Sequence, residues 1–319
     1  MLTENNPSSV KRWDRIQAEK WAKEKYREKY LGIDSFKRRD QGEIISSIED
    51  RQIDKEVEAR VKYRPPFSED KKTGVKILEH SKDKRIRFDP IPHQYYIDGV
   101  PVKSVTTIVD KHFPFFDANH AASRYLLNRN LPLTDKDSLI AEWNKKGEDA
   151  RTKGTKLHLL IEKYFSEKTK IIDSELSNEL SQFEMFIEDH EHLNPVRTEW
   201  RIFDERIRIA GTIDFLSKNS DGTFDIYDWK RSKKLVSEDG LILNNNPYQS
   251  GFGQLEIFDD TSYNKYTLQQ SIYKYILENS YGIYINQMHL VVLHPKYDVY
   301  QKIEVSYWEK PVRYILGYV

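Results

Sequence analysis

Ala210-Gly211-Thr212-Ile213-Asp214-Phe215-Leu216, and after it Asp225-Ile226-Tyr227-Asp228-Trp229-Lys230, read as two short strands joined by a turn at Asp221-Gly222. Side chains alternate faces along a strand with period two, so Asp228 and Lys230 leave the second strand on the same side. Asp225, three residues from Asp228, leaves on the other, and Asp221 belongs to the turn. Asp214, on the pairing strand, reaches the spot that Asp228 and Lys230 share. Two carboxylates and an ammonium converging on one point suit a divalent metal ion better than a packed core. A hairpin with solvated charges on its outer face is the alternative that this stretch alone leaves open.

Composition narrows the chemistry. The chain has 319 residues, of which 38% are hydrophobic and 32% charged, with Lys+Arg and Asp+Glu balanced at 51 each. Overall charge therefore announces no polyanion partner, and any nucleic-acid surface must be a local patch. No apolar run approaches the roughly 20 residues of a membrane span. The opening Met-Leu-Thr-Glu-Asn-Asn-Pro lacks the pattern of a signal peptide, so an intracellular location is expected. Cysteine is absent, which removes disulfides, thiol nucleophiles, Cys-ligated zinc and iron–sulphur clusters together. A metal must then use His, Asp, Glu or carbonyl ligands, and that donor set favours Mg²⁺ or Mn²⁺.

Working outward, residues 1–64 are dominated by charge with a thin helical stripe, and Arg64 to Gly74 reads as a linker. Residues 1–80 are read as a charged helical extension that packs on the main body or on a protein partner, with Lys37-Arg38-Arg39 as one of its basic clusters. From about Arg85 strand-like segments begin, with a hairpin turn at Asp98-Gly99. Val100 to Val109 continues in residues that suit a strand. Helical patterns follow over about 117–129, 136–150, 151–166 and 174–190. In the third of these Gly154, His158 and Glu162 recur every four residues and share one face. A glycine one turn before a histidine lets a ligand or another backbone approach closely; a packed or hydrogen-bonded histidine is the plainer alternative. Val196 to Phe203 is strand-like and carries Glu199. Residues 237–264 read as loop, and a helix at about 265–280 places Gln269, Tyr273 and Leu277 on one face. A terminal hairpin spans Gln287–His294 and Val299–Tyr307.

The order is thus a Gly-x-x-x-His helix, a strand with Glu, a strand with Asp, a strand with Asp-x-Lys and a Gln-x-x-x-Tyr helix. This order resembles the PD-(D/E)XK nuclease superfamily, and within it the RecB-like exonuclease branch with its phage and viral members. The matching residues are Gly154, His158, Asp214 in Gly-Thr-Ile-Asp, Asp228-Trp229-Lys230, Gln269 and Tyr273, spread over about residues 86–295. Any one of these motifs is weak alone; together and in order they are specific. Two features depart from the family pattern. Arg231 stands where Thr or Ser often follows the lysine, and the iron–sulphur cysteines of some relatives are missing.

The resemblance implies an α/β fold, a central mixed sheet flanked by helices in a restriction-endonuclease-like core over residues 81–319, beside the helical extension of 1–80. It implies a metal-dependent deoxyribonuclease, an exonuclease of replication, recombination or repair, acting on DNA with a free end or a single strand. If the chain is phage or viral, it would act in the bacterial or host cytoplasm. A structure-specific endonuclease and an inactive nucleic-acid-binding module of the same fold are the alternatives. It further implies one or two Mg²⁺ or Mn²⁺ ions held by His158, Asp214, Asp228 and the Trp229 carbonyl, with Lys230 orienting or deprotonating the attacking water. A dication close by would lower the Lys230 pKa. Gln269 and Tyr273 would line the site. Glu199 is a further candidate at the metal, Glu162 a candidate to fix the imidazole, and Arg151, Arg231 and Lys233 candidate phosphate contacts. Ordinary surface or packing roles stand against each of these.

Overall fold

The computed structural model describes residues 78–167 and 171–318. The helices, basic clusters and linker expected within 1–77 lie outside the described residues. Eight strands form one mixed sheet: β1 (Ile86–Asp89), β2 (Gln94–Ile97), β3 (Val100–Ser104), β4 (Pro195–Asp204), β5 (Ile209–Lys218), β6 (Phe224–Lys230), β7 (Ile285–Val292) and β8 (Gln301–Glu304). Their order is β1-β2-β3-β5-β6-β7-β8, with β4 pairing antiparallel along nearly the whole of β5. The β2–β3 hairpin turns where expected, with Asp98 at φ 50° and Gly99 at φ 80°, the double positive φ of a type I′ turn.

One irregularity of this sheet positions the site. β3 and β6 share the β5 edge opposite β4, but at different ends. β3 pairs parallel with Ile209 and Ala210; β6 pairs antiparallel with Phe215 to Lys218. Residues 211–214 on that edge have no strand partner, and β5 and β6 part there as the arms of a fork. Within the fork the Trp229 N–H donates to Asp214 Oδ2 at 2.9 Å, a side chain standing in for a missing ladder acceptor.

Helices cover both faces. On one side lie α1 (Val105–Asp110), α5 (Ser262–Ile276) and α6 (Glu309–Ile315), whose Val109, Ile272 and Val312 join Ile213, Ile226 and Leu290 of the sheet in a buried cluster. On the other side α3 (Lys136–Glu167) and α4 (Ser177–Asp189) pack Leu157, Ile161, Phe183 and Phe186 on Phe215, Tyr227, Trp229 and Val291. α2 (Ala118–Asn128) rests on the N-terminal half of α3. No helix among the described residues is long and apolar enough to cross a membrane.

The observed elements correct three local expectations. The stretch Val100–Val109 is not one strand: the Ser104 side chain accepts the Thr107 N–H at 3.0 Å and so caps a helix that begins at Val105. The helical patterns at 136–150 and 151–166 are one 32-residue helix, because no proline or capping residue interrupts them and Gly147 is tolerated inside it. The downstream helix starts earlier than residue 265, at Ser262, because Thr261 caps it through Asn264 N–H at 3.2 Å. The alternation that placed Asp225 opposite Asp228 holds. Asp225 accepts from Asn219, Asn286 and the Gln287 N–H away from the fork.

Candidate metal centre

Four elements converge on the fork. β6 brings Asp228 and Lys230 to the α5 side of the sheet, and Lys230 Nζ forms a close ion pair with Asp228 Oδ2. β5 brings Asp214. β4 brings Glu199, whose backbone is left-handed at φ 45° in the middle of a strand. That conformation costs a non-glycine residue roughly 1–3 kcal/mol and persists only where surrounding structure imposes it. The last element, α3, brings His158 from the other face. One imidazole nitrogen lies 2.9 Å from the Trp229 carbonyl oxygen; the other faces Glu199 Oε1 at 3.4 Å and Asp214 Oδ2 at 3.5 Å.

Ligand atoms of His158, Glu199 and Asp214 all lie within 4.8 Å of one another. The donor set is one imidazole and two carboxylates, with the Trp229 carbonyl adjacent. It suits a hard or borderline divalent ion. Charge points the same way. The carboxylates of Glu199, Asp214 and Asp228 gather beside the single ammonium of Lys230, so the site is rich in negative charge. Burial, reinforced by the neighbouring Asp214 and opposed by Lys230, pushes the Asp228 carboxyl up to about 7. Asp214 is also raised, by burial first and then by Glu199, against the pull of His158 and Lys230. Burial pushes His158 down, but Asp214 and Glu199 outweigh it and hold the imidazole at about 9. Buried acids with raised pKa values beside a histidine that clings to its proton mark a place short of positive charge.

Burial pulls the Lys230 pKa down, yet Asp228 and Asp214 overcome burial and raise it above the usual lysine range. Its ammonium also lies 4.3 Å from the Tyr266 ring centroid. Tyr266 is not singled out by the motif Gln269-x-x-x-Tyr273, but it lies three and seven residues before those two on the same face of α5, a spacing visible in the sequence.

The remaining candidates separate. Gln269 Nε2 donates to the Tyr273 hydroxyl at 2.8 Å, and the Tyr273 ring lies against Gly211 so closely that a Cβ there would stand 2.5 Å from its Cε1. Tyr273 therefore props the fork open by packing. Above Gly154 there is open space, in keeping with close approach along α3. The ring nitrogens of His158 meet the Trp229 carbonyl on one side and Glu199 with Asp214 on the other. Arg231 donates from Nε to buried Glu179 of α4 at 2.7 Å, which orients its guanidinium. Arg151 and Lys233 are exposed.

No protein-family model matches the sequence, and no curated protein matches it either. Among solved structures the chain is similar to one titled "Crystal structure of SSO0001", at 12% identity and a TM-score of 0.31, over 85% of this chain and 84% of that one. A likeness of that size carries no argument about fold or function.

Proposed function

We propose that this chain is a metal-dependent deoxyribonuclease of the PD-(D/E)XK type, RecB-like branch, hydrolysing phosphodiester bonds with Mg²⁺ or Mn²⁺, and that it acts as an exonuclease. The observation that carries the reading is the meeting of His158, Glu199 and Asp214 within 4.8 Å at a fork whose other arm holds Asp228 and Lys230. Sequence order supports it independently, since those residues occur in the order of the family motifs. On this reading residues 81–319 are the nuclease domain and the mixed sheet is a restriction-endonuclease-like core, with residues 1–80 left to contact a partner.

When bound, the ion supplies a Lewis acid for a phosphoryl oxygen and lowers the pKa of a bound water. His158, Glu199, Asp214 and the Trp229 carbonyl would hold it, with Asp228 alongside. Lys230, paired with Asp228, would present its amino group to the scissile phosphate or to the attacking water. Tyr266 shields that ammonium from bulk solvent on the α5 side. Tyr273, held by the Gln269 amide, packs against Gly211 of β5 and so lines the fork beside these groups.

The test is cleavage of end-labelled single- and double-stranded DNA, linear and circular, with Mg²⁺, Mn²⁺ or EDTA. Metal-dependent shortening of linear but not circular DNA is expected, and Lys230→Ala should abolish it. Nicking of circles would transfer the reading to an endonuclease. No cleavage of any substrate, or full activity in Lys230→Ala, would sink it.

A further inference from the structure

The hairpin of α2 and α3 carries aromatic rings on its outside, where packing does not require them. Phe116 is 62% exposed, Tyr125 37% and Tyr248, on the loop that follows β6, 75%. Phe116 and Tyr125 flank Trp143 of α3, with ring centroids 6.2 Å and 5.9 Å from it. Arginines are interleaved with these rings. The Arg129 guanidinium lies 3.9 Å from the centre of Tyr125, and that of Arg124 lies 5.4 Å from the centre of Tyr248. Among the described residues neither guanidinium pairs with a carboxylate, and residues 118–134 contain no acidic side chain. Their N–H groups are therefore not consumed by carboxylates while the planes rest on aromatic faces.

We propose that this face is a stacking platform for a single strand of nucleic acid, the bases lying on Phe116, Tyr125 and Tyr248 and the phosphates reaching Arg124 and Arg129. Exposed rings alternating with guanidinium groups match the two surfaces of an unpaired strand, base faces and phosphates. A duplex keeps its base faces inside its own stack and offers the rings nothing. The destination of the strand, though not the binding chemistry, rests on the nuclease reading above. Trp143 and His158 lie on one continuous helix, 15 residues and so about 22 Å apart, and within about 60° of each other around its axis. Gly147 and Gly154 fall on the stripe between them, and nothing lies within 4 Å of the position a Cβ would take on either. Tyr248 lies on the segment that follows Lys230 in the chain.

The test measures binding of the full chain in EDTA, by anisotropy of a labelled thymidine oligonucleotide about 20 nucleotides long and of a duplex of the same length. Single strand should bind at least tenfold tighter than duplex. Since each ring lost removes a stacked base, Tyr125→Ala with Tyr248→Ala should weaken single-strand binding about tenfold or more. Arg124→Gln with Arg129→Gln should flatten the dependence of log Kd on log salt by about 1.4, roughly 0.7 for each phosphate no longer neutralised. Leu127→Ser, at an exposed leucine of the same helix, should change nothing, and circular dichroism should show all variants folded. Equal affinity for duplex, a shift under twofold in the tyrosine variant, or an equal loss in Leu127→Ser (the mark of a surface for a protein partner) would overturn the platform. Binding as expected without cleavage in Mg²⁺ would leave the platform standing and remove the nuclease; cleavage with binding unmoved by the tyrosine variant would do the reverse.

Discussion

On one face of β6, Tyr227 and Trp229 sink among Phe183, Phe186 and Phe215 in edge-to-face and tilted ring contacts 5.3–5.8 Å apart. On the other face of the same strand, Asp228 and Lys230 are held out of water with Asp214 close by. The first face gains free energy from burial and ring geometry. The second gives some up, since taking charges out of water costs more than an ion pair commonly returns. Two adjacent residues, Asp228 and Trp229, thus serve opposite purposes: the aromatic side fixes the strand, and the strand holds the charged side in an arrangement it would not keep alone.

The sharpest way to break this contrast is Asp228→Asn. Its expected effect is a loss of cleavage rate of about 10²–10⁴-fold, with a lowered thermal midpoint because the buried Lys230 ammonium loses its ion-pair partner; parallel rate and melting measurements check it. Trp229→Ala acts on the other face and through packing alone. It opens a cavity in the ring cluster and should cost about 3–5 kcal/mol of stability, seen as a lower denaturant midpoint. The aromatic side also holds His289, whose ring lies tilted against Tyr227 at 4.7 Å and whose pKa is pushed down to about 4 by burial and then by Lys302. A histidine lowered on folding is neutral in the folded state and must be charged as acid is added. Its contribution is therefore complete above pH 6.5 and is lost as pH falls from 6.5 to about 4, by about 3 kcal/mol in all. Unfolding midpoints across that range should fall in the wild type and stay flatter in His289→Gln. At the fork, Gly211→Ala should cost about 1–3 kcal/mol by overpacking, because its Cβ would meet Tyr273; Gly211→Ala with Tyr273→Phe should not restore it, since the ring itself is the obstacle. The smallest effect belongs to Glu199→Gly, which relieves the positive φ while deleting a carboxylate. Stability should change by less than about 1 kcal/mol, and the affinity for Mn²⁺ measured by calorimetry should fall.

These contrasts also show what the sequence carried. Period-two alternation alone placed Asp228 and Lys230 together and Asp225 apart, because side-chain direction in a strand is a local property. His158 and Tyr273 were reachable through helical spacing and motif order. The fork was not. It depends on β3 and β6 sharing one edge of β5, a contact between residues about a hundred positions apart. Nor was the left-handed turn of Glu199 legible, since glutamate has no preference for it and the surrounding fold imposes it. The Arg231–Glu179 contact was hidden for the same reason: nothing near Arg231 in sequence foretold that Glu179, 52 residues earlier, would accept from its Nε.

The unpaired stretch of β5 at 211–214 carries one further consequence, for solubility. A bare strand edge is a template on which another chain can grow a sheet. Here the open length is four residues, flanked by β3 and β6, with the Tyr273 ring lying on Gly211 and the Asp214 carboxylate bonded across to Trp229. A visiting strand would have to displace a buried tyrosine and strip a charged group of its donor before it made its first backbone bond. The gap proposed to admit a substrate is thereby closed to aggregation.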